Sequence, residues 1–373
     1  MLQNLLGIRL LVLIGDTVPL PAPYEVSSAL QQVEVTNDSG QGDGFQLTFN
    51  LARSGVADYG LLQSGAVDPM KRIVLAMLLG AVPEVLIDGV VTHHQFNPGN
   101  QPGQATLTVT GRDLSTLLDL EEKNQSFPNQ PDSLIATSVL ANYAKYGIVP
   151  KPTPTTDIPI MLDRIPRQYE TDLQFLQRLA QRNGFVFYLE PLTVGVSQAY
   201  FGPENRLGLP QPALSVNLGA TTNVKSISFT NDALAVVGTR GKFVEPFTKT
   251  SIPIPVLPSL KIPPLAALPA PPNRIRLERS TANQGPATAA TTVLASSARE
   301  PDPITADGEM DGVHYGYALR ARRLVGVSGV GLTYDGNWYV RRVTHTITLR
   351  GQYTQRFQLS REGTLTLTPV VRR

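Results

Sequence analysis

The sequence predicts a mainly β protein that is interrupted by an α/β insertion, and three observations carry this prediction. Short runs with strand patterning fill residues 1–112 and return after residue 233. Helical patterning is concentrated between them, in residues 113–204. A chain of 373 residues exceeds one ordinary core and suits two or three domains. We therefore expect two strand-rich modules, with the helices in an insertion between them.

The first module contains short strands separated by glycine- and proline-containing turns, a pattern typical of an antiparallel barrel or sandwich. The apolar run at residues 73–82 has half the length of a membrane span, and we interpret it as a strand buried on both faces. Arg9 interrupts the N-terminal apolar run, which indicates a first buried strand and not a targeting segment. The predicted strands are 8–14, 25–36, 43–51, 71–79, 84–97 and 104–111.

The most informative stretch is YETDLQFLQRLAQRNGFVFYLE at residues 169–190. Its first part has apolar residues at helical spacing, which predicts a helix with one buried face. Thr171 followed by Gln174 is a capping-box pattern for the helix start, and Asn183-Gly184 supplies a left-handed stop. The chain then switches to period two, which predicts a strand directly after the helix. The helical stripe is Leu173, Phe175, Leu176, Leu179 and Ala180, and the strand alternates Phe185, Phe187 and Leu189 with Val186, Tyr188 and Glu190.

Two further helical patterns precede this unit, at residues 113–120 and 133–146. Asp132 is placed to cap the second helix and Gly147 to end it. An alanine-rich run at residues 285–299 predicts one more helix within the second module. The strands of that module are predicted at 234–244, 274–279, 312–333, 337–349 and 353–360, the last two forming a hairpin.

Residues 251–273 contain eight prolines. Because proline cannot donate to a hydrogen-bond ladder, this segment cannot be a central strand. We expect an extended, polyproline-like excursion from the second module. A solvated linker is the preferred interpretation, although the alternating isoleucine, valine and leucine residues favour some packing against a neighbour.

Three separated segments resemble one protein family, and they occur in the family's order. They are the hairpin VLIDGVVTHHQF with ATLTVTGRD, the helix–strand unit of residues 169–190, and the ending YDGNWYVRRVTHTITLRGQYTQRFQLSRE. The family is that of the phage late control D proteins. It comprises central baseplate hub proteins of contractile-tailed phages and contractile injection systems, and the N-terminal hub half of VgrG-type spike proteins. The motif residues, to which the resemblance assigns structural roles, are Thr171, Asp172, Phe175, Leu176, Leu179, Gly184, Tyr188, Gly336, Tyr339, His345 and Phe357.

The resemblance implies two tandem antiparallel β-barrels of the phage-tail hub type. Residues 1–112 would form the first barrel and residues 113–204 an inserted α/β subdomain. Residues 205–232, with the segment ALSVNLGATTNVKSISFTND at 213–232, would be return strands that complete the first barrel. Residues 233–373 would form the second barrel, from which the proline-rich segment departs.

The resemblance further implies a structural protein that is not an enzyme and has no cofactor. A homotrimer with two similar barrels per chain presents six similar units, so it can join a hexameric tail tube to a trimeric spike. The expected partners are the chain itself, the tail-tube protein, the spike and other baseplate components. Because the sequence ends at VVRR after the second barrel, we expect the spike to be a separate polypeptide. Without an export signal, we expect a cytoplasmic protein that assembles into an injection particle or virion baseplate and does not insert into a membrane.

Composition bounds the possible chemistry. The net charge is only +2, and the 12 phenylalanines and 12 tyrosines do not cluster with basic residues, so nucleic acid is not an expected partner. The absence of cysteine excludes disulfides, thiolate metal sites and cysteine nucleophiles. A charged fraction of 17% is low, and it fits a chain that buries much of its surface in an assembly.

The four histidines do not predict a metal site. His93 and His94 are adjacent in a predicted strand, so their side chains point to opposite faces and cannot share one ion. His314 and His345 are isolated in the sequence, and packing roles are expected for both.

An acidic run resembles the start of a calcium loop, with Asp307, Glu309 and Asp311 followed by Gly312. Such a loop needs a bidentate acid at its twelfth position, where this chain has Ala318. We therefore expect a solvated loop before a strand at His314.

Two glycine-containing motifs and an arginine set are also given structural interpretations. GVSGVG at residues 326–331 has Val330 where a nucleophile elbow requires glycine. GQGDG at residues 40–44 lacks a following helix and predicts a hairpin turn.

We expect the arginines to form a solvated or subunit-contacting face, with a phosphate or polyanion site as the alternative: Arg320, Arg322, Arg323, Arg341 and Arg342.

A competing functional class is a glycan- or receptor-binding, adhesin-like β protein. Exposed aromatic clusters in loops would favour that class, but the single tryptophan, Trp338, lies in a predicted strand. A hydrolase is disfavoured because no nucleophile with a histidine–acid partner is indicated.

Overall fold

The computed structural model describes residues 3–5, 8–54, 58–79, 82–101, 103–155, 157, 165–244, 251–257, 261–277, 293, 296, 300–349 and 351–367. It confirms a mainly β protein with large antiparallel sheets and an α/β insertion. Three apolar cores correspond to the first module, the insertion and the second module.

The first module is made of strands and two short helices. Its elements are β1 (Gln3–Leu5), β2 (Ile8–Gly15), β3 (Leu20–Pro21), α1 (Tyr24–Ala29), β4 (Leu30–Asp38), β5 (Gly44–Asn50), β6 (Arg53–Ser54), β7 (Asp58–Tyr59), α2 (Gly60–Ser64), β8 (Arg72–Leu79), β9 (Val82–Asn97) and β10 (Thr106–Asp113).

Strands β2, β4, β5, β8, β9 and β10 all contribute side chains to one core, as the strands of a barrel do. Phe49 and Leu47 of β5 lie opposite Leu107 and Val109 of β10. A Cβ atom at Gly111 would lie 2.2 Å from the Phe45 ring, so only glycine fits there. Between the described residues of β2 and β4, no ladder closes the ring. As predicted, β8 is buried on both faces, from Arg72 to Met77.

The insertion places helices against small sheets. Its elements are a 3₁₀ helix (Leu114–Leu118), β11 (Glu122–Ser126), α3 (Asp132–Ala141), a 3₁₀ helix (Ala144–Tyr146), β12 (Ile148–Pro152), β13 (Arg167–Thr171), α4 (Asp172–Arg182), β14 (Val186–Thr193) and β15 (Val196–Gly202).

The second module is again mainly β. Its elements are β16 (Gln211–Ser215), a 3₁₀ helix (Gly219–Thr221), β17 (Val224–Asn231), β18 (Val237–Val244), β19 (Ser251–Leu257), β20 (Ala266–Pro269), β21 (Arg274–Leu277), β22 (Ile304–Asp311), α5 (Gly312–Tyr315), β23 (Leu324–Ser328), β24 (Gly336–Thr348), β25 (Tyr353–Arg361) and β26 (Gly363–Thr366).

One sheet of 14 strands runs through both strand-rich modules. Its main path is β1-β2-β8-β9-β10-β5-β4-β24-β25-β22-β17. The modules join where β4 pairs antiparallel with β24, from Arg342 opposite Asp38 to Thr348 opposite Gln32. Ile347 and Tyr353 of the second module complete the core of the first. The two modules are therefore continuous through backbone hydrogen bonds and through packing.

The prediction of one strand over residues 25–36 is wrong at its start, because Tyr24–Ala29 form α1. Pro23 precedes the helix, and the Ser27 hydroxyl donates to its carbonyl oxygen at 3.4 Å. Val26 is buried in the first core. Burial of this one residue is compatible with either a helix or a strand, so it did not distinguish them.

The prediction for residues 307–333 is also partly wrong. The acidic run is not a solvated loop but belongs to β22, which lies between β17 and β25. Ala306 and Met310 face the core, whereas Asp307 is exposed on the other face. Residues 312–315 form α5, capped by Asp311, and only Leu324–Ser328 are extended in the predicted strand 312–333.

The return strands do not complete the first barrel. β16 pairs with β23 and β17 pairs with β22, both in the second module. Their inward residues Leu214 and Val224 are buried in the second core, which also contains Trp338. Apolar residues of β16 and β17 pack in the second core. The sequence predicted that they would be buried but did not indicate in which core.

The proline-rich segment is packed in part, so the linker interpretation is wrong for its described second half. Its first part, β19, carries two prolines and lies at the edge of a three-stranded sheet, where proline is tolerated. Leu265 packs with Leu324 and Tyr339. The Lys261 Nζ atom lies 2.7 Å from Asp302 in a buried ion pair.

Within the described residues the helix predictions are confirmed with three corrections. Residues 114–118 form a 3₁₀ helix, and Asp132 does not cap α3, because its carboxylate accepts hydrogen bonds from Arg182 and Asn183. The predicted helix 133–146 is also divided, because α3 ends at Ala141 and Gly147, with a φ of 74°, ends the short 3₁₀ helix that follows. Apart from Val293 and Ser296, the predicted helix at residues 285–299 lies outside the described residues.

Candidate functional site at the module junction

The predicted helix–strand unit is confirmed as α4 followed by β14. Thr171 caps the helix, since its hydroxyl oxygen accepts from the backbone N–H of Gln174 at 3.3 Å. Asn183 is the C-cap residue, and Gly184 follows with a φ of 68°. Positive φ is the conformation in which glycine is favoured. The unit therefore turns sharply, and β14 packs back against its own helix.

Three motif residues form the buried face of α4. Phe175, Leu176 and Leu179 lie in the core of the insertion. The Phe175 ring stacks on Phe127 with 5.4 Å between the ring centroids. These residues stabilise the insertion, and none of them faces a cleft.

Asp172, a motif residue, is a buried carboxylate with several donors. It accepts hydrogen bonds from Lys123 at 2.5 Å, from the Tyr143 hydroxyl at 2.7 Å and from Gln168 at 2.7 Å. Burial and the hydrogen bond to Asp172 raise the pKa of Tyr143. The carboxylate thus fixes β11, β13 and the end of α3 around the start of α4.

The arginines of the second module connect it to the rest of the chain. Arg322 forms a buried ion pair with Asp43, at 2.7 Å. Arg342 lies 2.5 Å from Asp38, so both arginines contact the β4–β5 hairpin that the GQGDG motif predicted. The prediction of a solvated or subunit-contacting face is therefore wrong for Arg322, which is 5% exposed, and it stays a prediction for the other four arginines. Two more arginines of this set contact other modules: Arg320 lies 3.4 Å from Glu84, and Arg323 lies 2.6 Å from Glu190.

Asp113 lies beside the Asp43–Arg322 pair. Its side chain accepts from the backbone N–H of Ser115 at 3.1 Å, and its own N–H donates to the Asp43 carbonyl oxygen at 3.1 Å. Burial and the neighbouring Asp43 carboxylate raise the pKa of Asp113 to about 6. The junction therefore holds a carboxyl group that titrates close to neutral pH.

A second buried charge cluster surrounds Arg206. Its guanidinium contacts Glu204 at 3.1 Å, Glu362 at 2.8 Å and Asp302 at 3.5 Å. Burial alone would raise the pKa of Asp302, but Lys261 and Arg206 outweigh it and hold that pKa below its usual range. The cluster links the end of the insertion to the proline-rich segment and to the end of β25.

A cleft of about 350 Å³ lies between these two charge clusters. The structure brings three family-motif residues from distant parts of the sequence into its wall, namely Gly184, Tyr188 and Tyr339. Arg322 stacks over the Tyr188 ring, with 4.5 Å from its guanidinium carbon to the centroid. We call this the junction cleft, and its other lining residues are Ser39, Phe185, Val186, Pro203, Glu204, Arg206, Lys261, Ile262 and Arg341.

Arg341 enters the junction cleft from a β-bulge. The register between β24 and β25 shifts between Val340 and Arg342, so Arg341 has no partner residue in β25. Its carbonyl oxygen accepts from the backbone N–H of Ser39 at 2.9 Å. A bulge redirects a side chain relative to its neighbours, and here Arg341 lines the cleft whereas Arg342 pairs with Asp38.

The remaining motif residues stabilise the second module. Gly336 has a φ of 112°, and a Cβ atom there would lie 2.2 Å from the Thr366 hydroxyl oxygen. Phe357 packs in the second core. His345 is buried and its Nδ1 atom lies 2.9 Å from the Tyr353 hydroxyl. Burial and the nearby Arg320 lower the pKa of His345 to about 3, so the ring is neutral at physiological pH.

The other histidines lie apart. His93 contacts the Thr92 hydroxyl, His94 contacts the Val67 carbonyl oxygen, and the Nε2 atom of His314 lies 3.1 Å from the Thr222 carbonyl oxygen. Among the residues that the structure describes, no group of three or more histidine, aspartate or glutamate side chains is arranged to hold a metal ion.

Sequence reasoning missed most of the residues that form the junction. Asp38, Asp43 and Asp113 stand at strand ends, where a carboxylate usually indicates a turn. Arg206 and Asp302 lie in segments without clear patterning. The one sequence signal for the junction was the set of five arginines. Because this chain has few charged residues, five neighbouring cations indicate that carboxylates lie close to them in the fold.

The sequence matches no protein-family model and no curated protein. The structure is similar to the tail protein from Neisseria meningitidis MC58, with a TM-score of 0.64 at 14% identity over 96% of this chain and 98% of that chain. The 43 kDa tail protein of prophage MuSo2 from Shewanella oneidensis gives a TM-score of 0.63 at 13% identity, over 95% and 98%. A type VI secretion system component of E. coli gives 0.54 at 13% identity, over 92% and 77%.

Within the described ranges, no helix has the length and apolar character needed to cross a membrane. The similarity to solved tail proteins covers the strand-rich modules and the insertion together, since it extends over nearly the whole chain. The chain therefore has the fold of phage tail proteins.

Proposed function

We propose that this chain is the central hub of a contractile injection particle or phage-tail baseplate. The observation that carries the proposal is the similarity to two tail proteins over at least 95% of this chain and 98% of each of them. The sequence motifs of the hub family occur in the same fold, in the insertion and in the second module. The motifs and the fold support the proposal separately. The tail proteins are only 13–14% identical to this chain, so their structural similarity does not follow from shared sequence motifs.

The junction suits a part that transmits load. A hub has to move as one body when a sheath contracts, and flexible modules would absorb the force. Here β4 and β24 share a ladder of seven residue pairs, and the Arg322–Asp43 pair is buried beside it. Both features resist separation of the two strand-rich modules.

In the proposed assembly the chain forms a homotrimer that acts as a symmetry adapter. Each chain has two strand-rich modules, so three chains present six of them to a hexameric tail tube. A separate trimeric spike and other baseplate components would contact the opposite side. Highly exposed leucines are available for such contacts, and they include Leu207, Leu209 and Leu332.

In this role the chain performs no catalysis and remains within the particle. The charged residues of the junction contact one another and hold modules together, as a structural role requires. Large exposed aromatic side chains of the described residues are Tyr24, Phe96, Tyr169 and Tyr317. They lie on four separate segments, which gives the adhesin-like alternative no specific support.

The test is deletion of the gene in the organism that encodes this chain, followed by electron microscopy of particle preparations. A hub is needed to start tube and sheath assembly, so we expect no sheathed particles, with recovery when the gene is supplied in trans. Particles of normal shape that fail only to bind their target cell would overturn the hub proposal and favour the adhesin-like class.

A further inference from the structure

The junction cleft contains one cation that lacks a counter-charge. Among the described residues, no carboxylate lies within ion-pair distance of Arg341, whereas the other cations of the wall are all paired. Arg206 contacts three carboxylates, Lys261 contacts Asp302, and Arg322 contacts Asp43. The charge of Arg341 is therefore available to a ligand.

A second donor at the same place also lacks an acceptor. The side chain of Arg322 is 6% exposed, and its Nε atom has no hydrogen-bond partner among the described residues. A buried N–H group without an acceptor costs free energy, and such groups are rare in native proteins. The exposed area of this Nε atom is below 1 Å², so a ligand in the cleft does not reach it, and Arg341 is the cation that a ligand meets.

From these observations we propose that the junction cleft binds a carboxylate group of a peptide segment. Arg341 would provide both the counter-charge and the hydrogen bonds. A planar guanidinium matches a carboxylate better than an ammonium does. The β-bulge explains why Arg341 faces the cleft, since bulges commonly re-aim side chains next to functional sites.

The rest of the wall favours a peptide over a small inorganic anion. Phe185, Val186 and Ile262 contribute apolar surface to the cleft, and Ile262 is 71% exposed. A volume of about 350 Å³ lies at the small end of the range for ligand clefts. The ligand that fits is an extended segment whose carboxylate is flanked by apolar side chains.

Glu204 is the one carboxylate among the described lining residues, and it opposes an anionic ligand. Its side chain contacts Arg206 at 3.1 Å, so Arg206 partly neutralises it. Glu204 therefore tests whether the ligand is anionic. Removing the Glu204 charge should strengthen ligand binding, whereas removing the Arg341 charge should weaken it.

The test uses the full chain and three peptide probes, observed through the Nε–Hε signals of arginine in NMR spectra. The probes are acetyl-Leu-Glu-Leu-amide, its neutral isostere acetyl-Leu-Gln-Leu-amide, and acetyl-Leu-Gln-Leu with a free C-terminal carboxylate. We expect the signal of Arg341 to shift with at least one of the two charged probes. Comparison of these two distinguishes a side-chain carboxylate from a terminal one.

The matched variants are Arg341→Gln and Arg356→Gln. Arg356 is also on a strand of the second module, but its side chain is 73% exposed and pairs with Glu309. Loss of a charged hydrogen bond predicts affinity weaker by about tenfold or more for Arg341→Gln, with no change for Arg356→Gln. Glu204→Gln should bind the charged probe more tightly, and lower salt should strengthen binding.

Because the isolated chain is used, this result does not depend on the proposed hub role. Equal shifts with charged and neutral probes would overturn the inference, as would unchanged affinity in Arg341→Gln. The absence of any shift with either charged probe would overturn it as well. Thermal melting of each variant verifies that a lost shift reflects the cleft and not unfolding.

Discussion

Arg322 and Asp43 lie 279 residues apart in the sequence and form a buried ion pair, with 2.7 Å between Nη2 and Oδ1. The second nitrogen of the guanidinium lies 3.0 Å from the other carboxylate oxygen. Arg322 Nη2 also donates to the Asp38 carbonyl oxygen at 2.5 Å. A single side chain of the second module thus closes the β4–β5 hairpin of the first.

Arg322→Gln should strongly destabilise the protein. It leaves the Asp43 carboxylate buried without its counter-charge, and breaking a buried pair in this way costs about 3–5 kcal/mol. Arg323→Gln is the control, because its pair with Glu190 is partly exposed and such pairs contribute below about 1 kcal/mol. Urea unfolding measures both free energies. Equal losses would show that the buried pair does not hold the modules together.

Asp113→Asn should change how stability depends on pH. The raised pKa of about 6, against an ordinary value of 3.8, means that the folded chain keeps a proton which the unfolded chain loses. This contribution to stability is fully present below the unfolded pKa and is lost as pH rises through about 6. The variant stays neutral and can still accept from Ser115. Its free energy of unfolding, relative to the unaltered chain, should therefore rise by about 2–3 kcal/mol between about pH 4 and pH 7.

Urea unfolding at several pH values measures that difference. A difference between the two chains that stays constant across this range would show that folding does not raise the pKa of Asp113.

Leu176→Asp should unfold the insertion. Leu176 is completely buried in the core of the insertion, and burying an unpaired carboxylate there costs several kcal/mol. Gln177→Ala is the control on the exposed face of the same helix and should be near neutral. Circular dichroism melting compares the two. Similar melting temperatures would mean that the orientation of α4 is wrong.

Leu265→Ala should destabilise the second module, because the proline-rich segment is packed at this residue. Leu265 is buried against Leu324 and Tyr339, and such truncations cost about 2–5 kcal/mol. Ile262→Ala changes a side chain that is 71% exposed, only three residues away. Calorimetric melting should show a clear loss for the first variant alone. A loss for neither would restore the linker interpretation.

The sequence was most informative where local signals agreed with one another. At α4 the capping pair Thr171 and Gln174, the apolar stripe and the Asn183-Gly184 stop all indicated one helix, and the structure contains it. At residues 24–29 the local signal was ambiguous, because the one buried apolar residue, Val26, satisfies either periodicity. The pairing of strands that are distant in sequence could not be predicted from local signals. The apolar residues of β16 and β17 predict that one face is buried, but they do not indicate which strands lie beside them.

The junction was the least predictable part. Whether Arg322 is solvated or buried depends on Asp43 reaching it through the fold, and no local pattern encodes a contact over that separation. Arg341 is harder still, because its direction depends on a bulge that shifts the register of β24 by one residue. The segments that resemble the hub family nevertheless include Tyr188 and Tyr339, and the structure places both in the wall of the cleft that Arg341 lines. Motif residues from distant parts of the sequence are therefore useful starting points for locating a cleft.

The most direct test of the central claim is the copy number of this chain in its assembled particle. Quantitative mass spectrometry of purified particles, with a single-copy spike trimer or the tube protein as internal reference, gives the number of chains per particle end. The symmetry-adapter account predicts three. One copy or six copies per end would contradict it, even though the fold would remain that of a tail protein.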